Sequence, residues 1–145
     1  MRAAGRLVVP FGSRAAGFRF NLEEEAFDRL VRIEDFGIAN LRAWIFGHQV
    51  VELCTAVKGT MLKHILGIGT RKVIYLDPDI ALFDTLAPVV KLLDQNSIIL
   101  TPHLVAAEQT RASIIDNEIC ALQHGTYNLG FLAVADSVQG HAFAD

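Results

Sequence analysis

The amino-acid sequence predicts an α/β protein with a layered, mostly parallel sheet flanked by helices. Short apolar runs of strand length alternate along the chain with longer segments whose apolar residues recur at helical spacing. The 145 residues are 52% apolar and 20% charged, which is typical of a globular chain with one sizeable core. The net charge is only −3, with Lys and Arg scattered, so the composition argues against a nucleic-acid-binding protein.

The N-terminal part of the chain carries little pattern. A short apolar run at 7–9 is followed by Pro and Gly residues, so we treat 1–20 as a poorly patterned segment and 21–145 as the domain. Asn21 is placed to cap a short helix whose first turn carries three glutamates. A short strand is expected at 30–33.

The sequence contains no apolar run of the roughly eighteen residues that a membrane-spanning helix needs. Its first ten residues also lack the apolar core of a secretory signal. A cytoplasmic protein without a transmembrane segment is therefore expected.

From residue 50 onward, helices and strands alternate. The longest helix is predicted at 50–66, where apolar residues recur at helical spacing up to Gly67 and Gly69. The later elements are a strand at 72–76, a helix at 86–93, a strand at 97–100, a helix at 113–123 with a Ser cap, a strand at 129–134 and a helix from Ser137.

Two aspartates, Asp77 and Asp79, follow the strand at 72–76 and are separated by Pro78. Ligands of open α/β sheets collect at the carboxyl ends of strands. Hard divalent cations prefer carboxylate oxygens and keep coordination positions open for substrate phosphates. The pair therefore predicts a Mg²⁺ or Mn²⁺ site beside a diphosphate. The alternative is that both acids only form the turn, as Asp and Pro commonly do.

Three segments together resemble the GT-A family of nucleotide-sugar-dependent glycosyltransferases. They are the strand with its Asp-Pro-Asp exit, the preceding helix segment Glu-Leu-Cys-Thr-Ala-Val-Lys at 52–58 and Gly-Thr-Tyr-Asn-Leu-Gly-Phe at 125–131. The similarity is greatest to the retaining branch that includes glycogenin and bacterial lipopolysaccharide galactosyltransferases, and it covers about 28–134. It implies a GT-A fold and transfer of a sugar from a nucleotide-diphosphate sugar to a glycan, lipid or protein acceptor that the sequence does not specify.

The resemblance also implies roles for individual residues. Asp77 and Asp79 would bind Mn²⁺ or Mg²⁺ and the nucleotide diphosphate. Lys58 matches a basic residue that reaches the donor, where it would offset phosphate charge. Asn128 and Gly130 match an Asn-x-Gly beside the donor sugar, in which the amide binds hydroxyls and the glycine allows close approach. The alternatives are a solvated lysine and an asparagine that ends a turn.

Other polar and aromatic residues near the motif have weaker expectations. His103 follows the strand at 97–100 and is a candidate to contact a ligand, although loop hydrogen bonding is the commoner role. Tyr75 and Tyr127 flank the predicted site closely enough to stack on a base or sugar, with core packing as the alternative.

The sequence departs from the family at both ends. The first twenty residues lack the strand and small-residue turn that hold the nucleoside, and the chain ends before the histidine that supplies a third metal ligand. The sheet is therefore expected to be incomplete at both ends, as in a fragment of a longer protein.

Two other functions stay open. One is a haloacid-dehalogenase-like phosphotransferase, in which the first acid accepts a phosphoryl group. Ala81 stands against it, since Thr or Val is expected at that position. The other is a non-catalytic, truncated domain that binds nucleotide sugar weakly or only packs against a partner.

Overall fold

The computed structural model describes residues 7–8, 21, 23–24 and 28–145. The chain divides into two compact units, Met1–Met61 and Leu62–Asp145. Apart from 7–8, the predicted N-terminal segment lies outside the described residues, and the predicted boundary after residue 20 stays a prediction.

The first unit contains short elements and most of one long helix. Its apolar residues Val31, Ile33, Leu53 and Val57 are buried. Two short strands pair in parallel, with Leu7 opposite Arg29. The elements are β1 (Leu7–Val8), β2 (Arg29–Leu30), a 3₁₀ helix (Ile33–Phe36), α1 (Leu41–Phe46) and α2 (Val50–Gly67), which continues into the second unit.

The predictions for this unit are partly confirmed. Asn21 caps a turn, since its Oδ1 accepts from the Glu23 N–H at 3.2 Å, while 22 and 25–27, which belong to the predicted helix, lie outside the described residues. The strand expected at 30–33 overlaps the observed strand β2 only at Leu30, because the chain leaves the strand there and Ile33 begins the 3₁₀ helix. The helix predicted at 50–66 is confirmed as α2.

The second unit combines helices with a three-stranded sheet. The strand order is β3-β5-β4. The elements after α2 are β3 (Lys72–Leu76), α3 (Ala87–Leu92), β4 (Ile98–Pro102), α4 (Arg111–Ser113), a π-helix (Ile114–Ile119), α5 (Cys120–His124), β5 (Tyr127–Ala135) and α6 (Val138–Ala144).

The mixed α/β class is confirmed, but this sheet does not match a layered, mostly parallel one. Strand β5 lies between β3 and β4 and is antiparallel to both. The reason is the path of the chain after β4. The segment that follows His103 returns to the end of β4, where the His103 N–H donates to the Thr126 carbonyl oxygen at 3.0 Å. Strand β5 therefore starts where β4 ends and runs back beside it.

The sequence predicted N-cap residues for two helices, and one of the two predictions is confirmed. Ser137 caps α6 as predicted, and its Oγ accepts from the Gly140 N–H at 3.0 Å. The helical segment expected to begin at a Ser113 cap begins earlier. Thr110, with extended backbone, is the cap, and its Oγ1 accepts from the Ser113 N–H at 3.1 Å.

The core of the second unit lies on one face of the sheet. Val73 pairs with Val134 and Tyr75 with Leu132 across β3 and β5. Alternate residues of a strand share a face, so the row Val73, Tyr75 continues to Asp77 at the strand end. The buried cluster consists of Leu62, Leu66, Val73, Leu132, Val134 and Ala144, with Ile65, Tyr75 and Leu100 packed against it.

Candidate functional site

The Asp-Pro-Asp segment forms a tight turn at the end of β3. The Ile80 N–H donates to the Asp77 carbonyl oxygen at 3.0 Å, which closes a four-residue turn with Pro78 and Asp79 at its centre. Pro favours the second position of such a turn because its φ is already fixed. Asp77 is half-buried and Asp79 is exposed. The turn therefore presents one carboxylate at the margin of the core and one to solvent.

Asp77 is held on two sides. Its backbone N–H donates to the Gly130 carbonyl oxygen at 2.7 Å, which ties the turn to β5. The Tyr75 hydroxyl donates to Oδ1 of Asp77. Tyr75 also packs against the core cluster of the second unit, which is the alternative that the sequence offered to stacking on a ligand.

Gly130 provides the space into which Asp77 and Asn128 approach. A Cβ atom at Gly130 would lie 2.9 Å from Oδ2 of Asp77 and 3.0 Å from Oδ1 of Asn128. Both oxygens therefore converge on one point that a larger residue would fill. The Gly130 N–H also donates to Oδ1 of Asn128 at 2.9 Å, which fixes the amide group against the strand. Three of the residues singled out in the sequence are thus brought together.

The pairing of β5 with β3 places Gly130 beside Asp77, because Leu76 is opposite Phe131 in a regular antiparallel register and Asp77 follows opposite Gly130. On its other side, β5 pairs irregularly with β4. Leu100 is opposite Leu132, but the next residue of β4, Thr101, is opposite Asn128. The register shift gives β5 a bulge around Gly130. Bulges of this kind re-aim side chains and are common next to functional sites. The bulge lies on the β4 side of the segment that carries Asn128 and Gly130.

The donor set suits a hard divalent cation. Carboxylate and amide oxygens are the ligands such cations prefer, and a site of this kind keeps positions for water and phosphate oxygens. Oδ2 of Asp77 lies against Gly130, where a Cβ atom would come within 2.9 Å of it. Among the described residues, no three His, Cys, Asp or Glu side chains are grouped to hold a metal ion. Asp77 and Asp79 would thus need oxygens from water or substrate.

The remaining candidates are less closely tied to this point. Lys58 is half-buried in the first unit, and its expected role toward the donor stays a prediction. His103 is exposed at the end of β4, and its backbone bonds to Thr126 across the sheet edge. Tyr127 is half-exposed at the start of β5.

The sequence did not reveal the Tyr75 hydroxyl as a partner of Asp77. The available signal was spacing, because residues two apart on a strand share a face. Tyr75 and Asp77 stand at that spacing, but the usual expectation for an aromatic residue in a buried strand is core packing alone.

Comparison of the chain with protein-family models, curated proteins and solved structures finds no match. Within the described residues, none of the helices combines the length and apolar character needed to cross a membrane.

Proposed function

We propose that this chain carries the donor-nucleotide and metal-binding part of a glycosyltransferase of the GT-A type. The reaction would move a sugar from a nucleotide-diphosphate sugar to a glycan, lipid or protein acceptor. The observation that supports this most is the convergence of Asp77, Asn128 and Gly130 at one end of the sheet. Asp77 lies far in sequence from Asn128 and Gly130, and the resemblance to the family named all three for one ligand.

Asp77 and Asp79 would hold Mn²⁺ or Mg²⁺ against the diphosphate. When bound, the cation would neutralise phosphate charge and polarise the bond to the leaving diphosphate. Asp77 contributes a carboxylate whose Oδ1 is held by Tyr75 and whose Oδ2 lies beside Gly130. Asp79 contributes a second carboxylate from the solvent side of the turn.

Asn128 would address the sugar through its N–H hydrogens. Its Oδ1 already accepts from the Gly130 N–H, so Nδ2 is the part of the amide that would donate to sugar hydroxyls. Gly130 keeps the strand free of a side chain at this point, which lets a ligand come close to the backbone. For Lys58, the resemblance implies a role in offsetting phosphate charge.

The proposed fold is a partial GT-A domain, with β3-β5-β4 as one piece of its sheet. A three-stranded antiparallel sheet does not match the complete layered parallel architecture, but it is compatible with a fragment of a larger mixed sheet. A cytoplasmic location is part of the same proposal.

Calorimetry with Mn²⁺ and a nucleoside diphosphate tests the proposal. We expect the double variant Asp77→Asn with Asp79→Asn to lose measurable Mn²⁺ binding, because a hydrated hard cation binds weakly without carboxylates. Asp116→Asn is the matched control, since Asp116 is an exposed acid of the same unit. Unchanged Mn²⁺ affinity in the double variant would refute the assignment.

A non-catalytic packing role is the second candidate. It is favoured by large apolar side chains that the second unit exposes, including Phe83 at 98% and Val105 at 93%. Exposed apolar side chains mark an interaction site where they form a contiguous patch. A thermal-shift panel of nucleotide sugars with Mn²⁺ separates the two, because only the transferase site would respond.

A further inference from the structure

We propose that Tyr75 is a positioning residue for the metal-binding carboxylate of Asp77. Its hydroxyl donates to Oδ1 and so sets the plane of the carboxylate, which places Oδ2 beside Gly130 and Asn128. The inference rests on the proposed function, because it assigns Tyr75 a part in the metal and diphosphate site.

Tyr75 is suited to this task because its ring is fixed. It lies opposite Leu132 in the sheet and packs against the buried cluster of the second unit. The ring therefore carries its hydroxyl to the strand end from a rigid base. Asp77 lies on the same face two residues later, within reach of that hydroxyl.

The hydrogen bond matters because Asp77 is the residue that would contact the cation directly. A carboxylate can rotate, and binding a cation requires one oxygen to be presented in a fixed direction. Partners that hydrogen-bond a metal ligand from behind orient it, and their removal typically lowers metal affinity by about 10- to 100-fold. Tyr75 occupies that place behind Oδ1 of Asp77.

The variant Tyr75→Phe removes the hydroxyl and keeps the ring that packs in the core. We expect Mn²⁺ affinity in the presence of a nucleoside diphosphate to fall about 10- to 100-fold. Ser97→Ala removes a hydroxyl of the same unit whose hydrogen bond goes to Gln139, and this control should bind like the wild type. In an Asp77→Asn background, Tyr75→Phe should cause no further loss, because Tyr75 acts through Asp77.

A spectroscopic readout tests the contact without any ligand. The chain has two tyrosines, so in the Tyr127→Phe variant a ¹³C-labelled tyrosine gives one Cζ resonance, from Tyr75. Adding Asp77→Asn should shift that resonance, whereas adding Asp116→Asn should not.

The outcomes separate the two claims. If the wild type binds Mn²⁺ and Tyr75→Phe binds it equally well, Tyr75 is not a positioning residue, although the proposed function stands. The inference is also wrong if the chemical shift of the Tyr75 Cζ resonance is the same with and without Asp77→Asn. If the wild type binds no Mn²⁺ with any nucleoside diphosphate, the proposed function is wrong, and the inference about Tyr75 is wrong as well.

Discussion

Replacing Gly130 with alanine adds a single methyl group at the point where the candidate site converges. The new Cβ would lie 2.9 Å from Oδ2 of Asp77 and 3.0 Å from Oδ1 of Asn128, closer than atoms of these kinds normally approach. Gly130 is not among the glycines with positive φ, so alanine fits its backbone. The effect of the substitution is therefore steric.

The size of the effect depends on what moves. Overpacking a rigid site costs about 1–3 kcal/mol, but both clashing atoms are ends of side chains that can rotate. Restricting the unfolded chain returns about 0.4–1 kcal/mol. We therefore expect the free energy of unfolding to fall by no more than about 2 kcal/mol. Relief of the clash requires Asp77 to turn or the Asn128 bond to Gly130 to break, so Mn²⁺ affinity should fall at least about tenfold.

The assay is Mn²⁺ calorimetry with a nucleoside diphosphate beside chemical unfolding of the same variants. Gly67→Ala is the matched control, since a Cβ there would meet nothing within 4 Å and Gly67 is the last residue of α2. It should leave Mn²⁺ binding unchanged and stabilise the chain by about 0.4–1 kcal/mol. If Gly130→Ala matches Gly67→Ala in both measurements, the reasoning about this site is refuted.

Two further predictions concern a helix cap and a surface ion pair. Thr110→Ala should cost about 1 kcal/mol of unfolding free energy because Thr110 caps the helical segment, whereas Ser113→Ala should cost less; the reverse order would restore Ser113 as the cap. The hydrogen bond and positive charge of Lys63 lower the pKa of Asp145 from its ordinary 3.8. The pair should therefore stabilise the fold above that pH, and this contribution should vanish as the pH falls through the lowered pKa. A thermal midpoint whose acid dependence is the same in the wild type and Asp145→Asn would contradict this.

The sequence predicted the positions of helices and strands along the chain better than it predicted which strands pair. Helix α2 and strands β3 and β4 follow from local periodicity, which depends on residues close in sequence. Strand direction depends on which strands become adjacent. The apolar run at 129–134 does not indicate that β5 lies between β3 and β4. That placement depends on the return of the chain to the end of β4 near His103, which is a contact between residues distant in sequence.

The candidate site was predictable in its residue types and not in its geometry. Family resemblance named Asp77, Asn128 and Gly130, and the structure brings them together. Their proximity depends on the pairing of β5 with β3, which sets Gly130 opposite Asp77 and which no local pattern encodes. The Tyr75 hydroxyl bond was missed because an aromatic residue in a buried strand first predicts packing.

The most direct test of the central claim is to locate bound Mn²⁺ by paramagnetic broadening of backbone amide resonances. The experiment uses the whole chain with a mixture of uridine and guanosine diphosphates, and a matched diamagnetic Mg²⁺ sample as reference. We predict that the amides of Asp77, Asp79, Asn128 and Gly130 broaden at the lowest Mn²⁺ concentration, and that Asp77→Asn with Asp79→Asn abolishes the effect. Broadening that begins instead around other acids, such as Glu108 and Glu118, would contradict the assignment of this site.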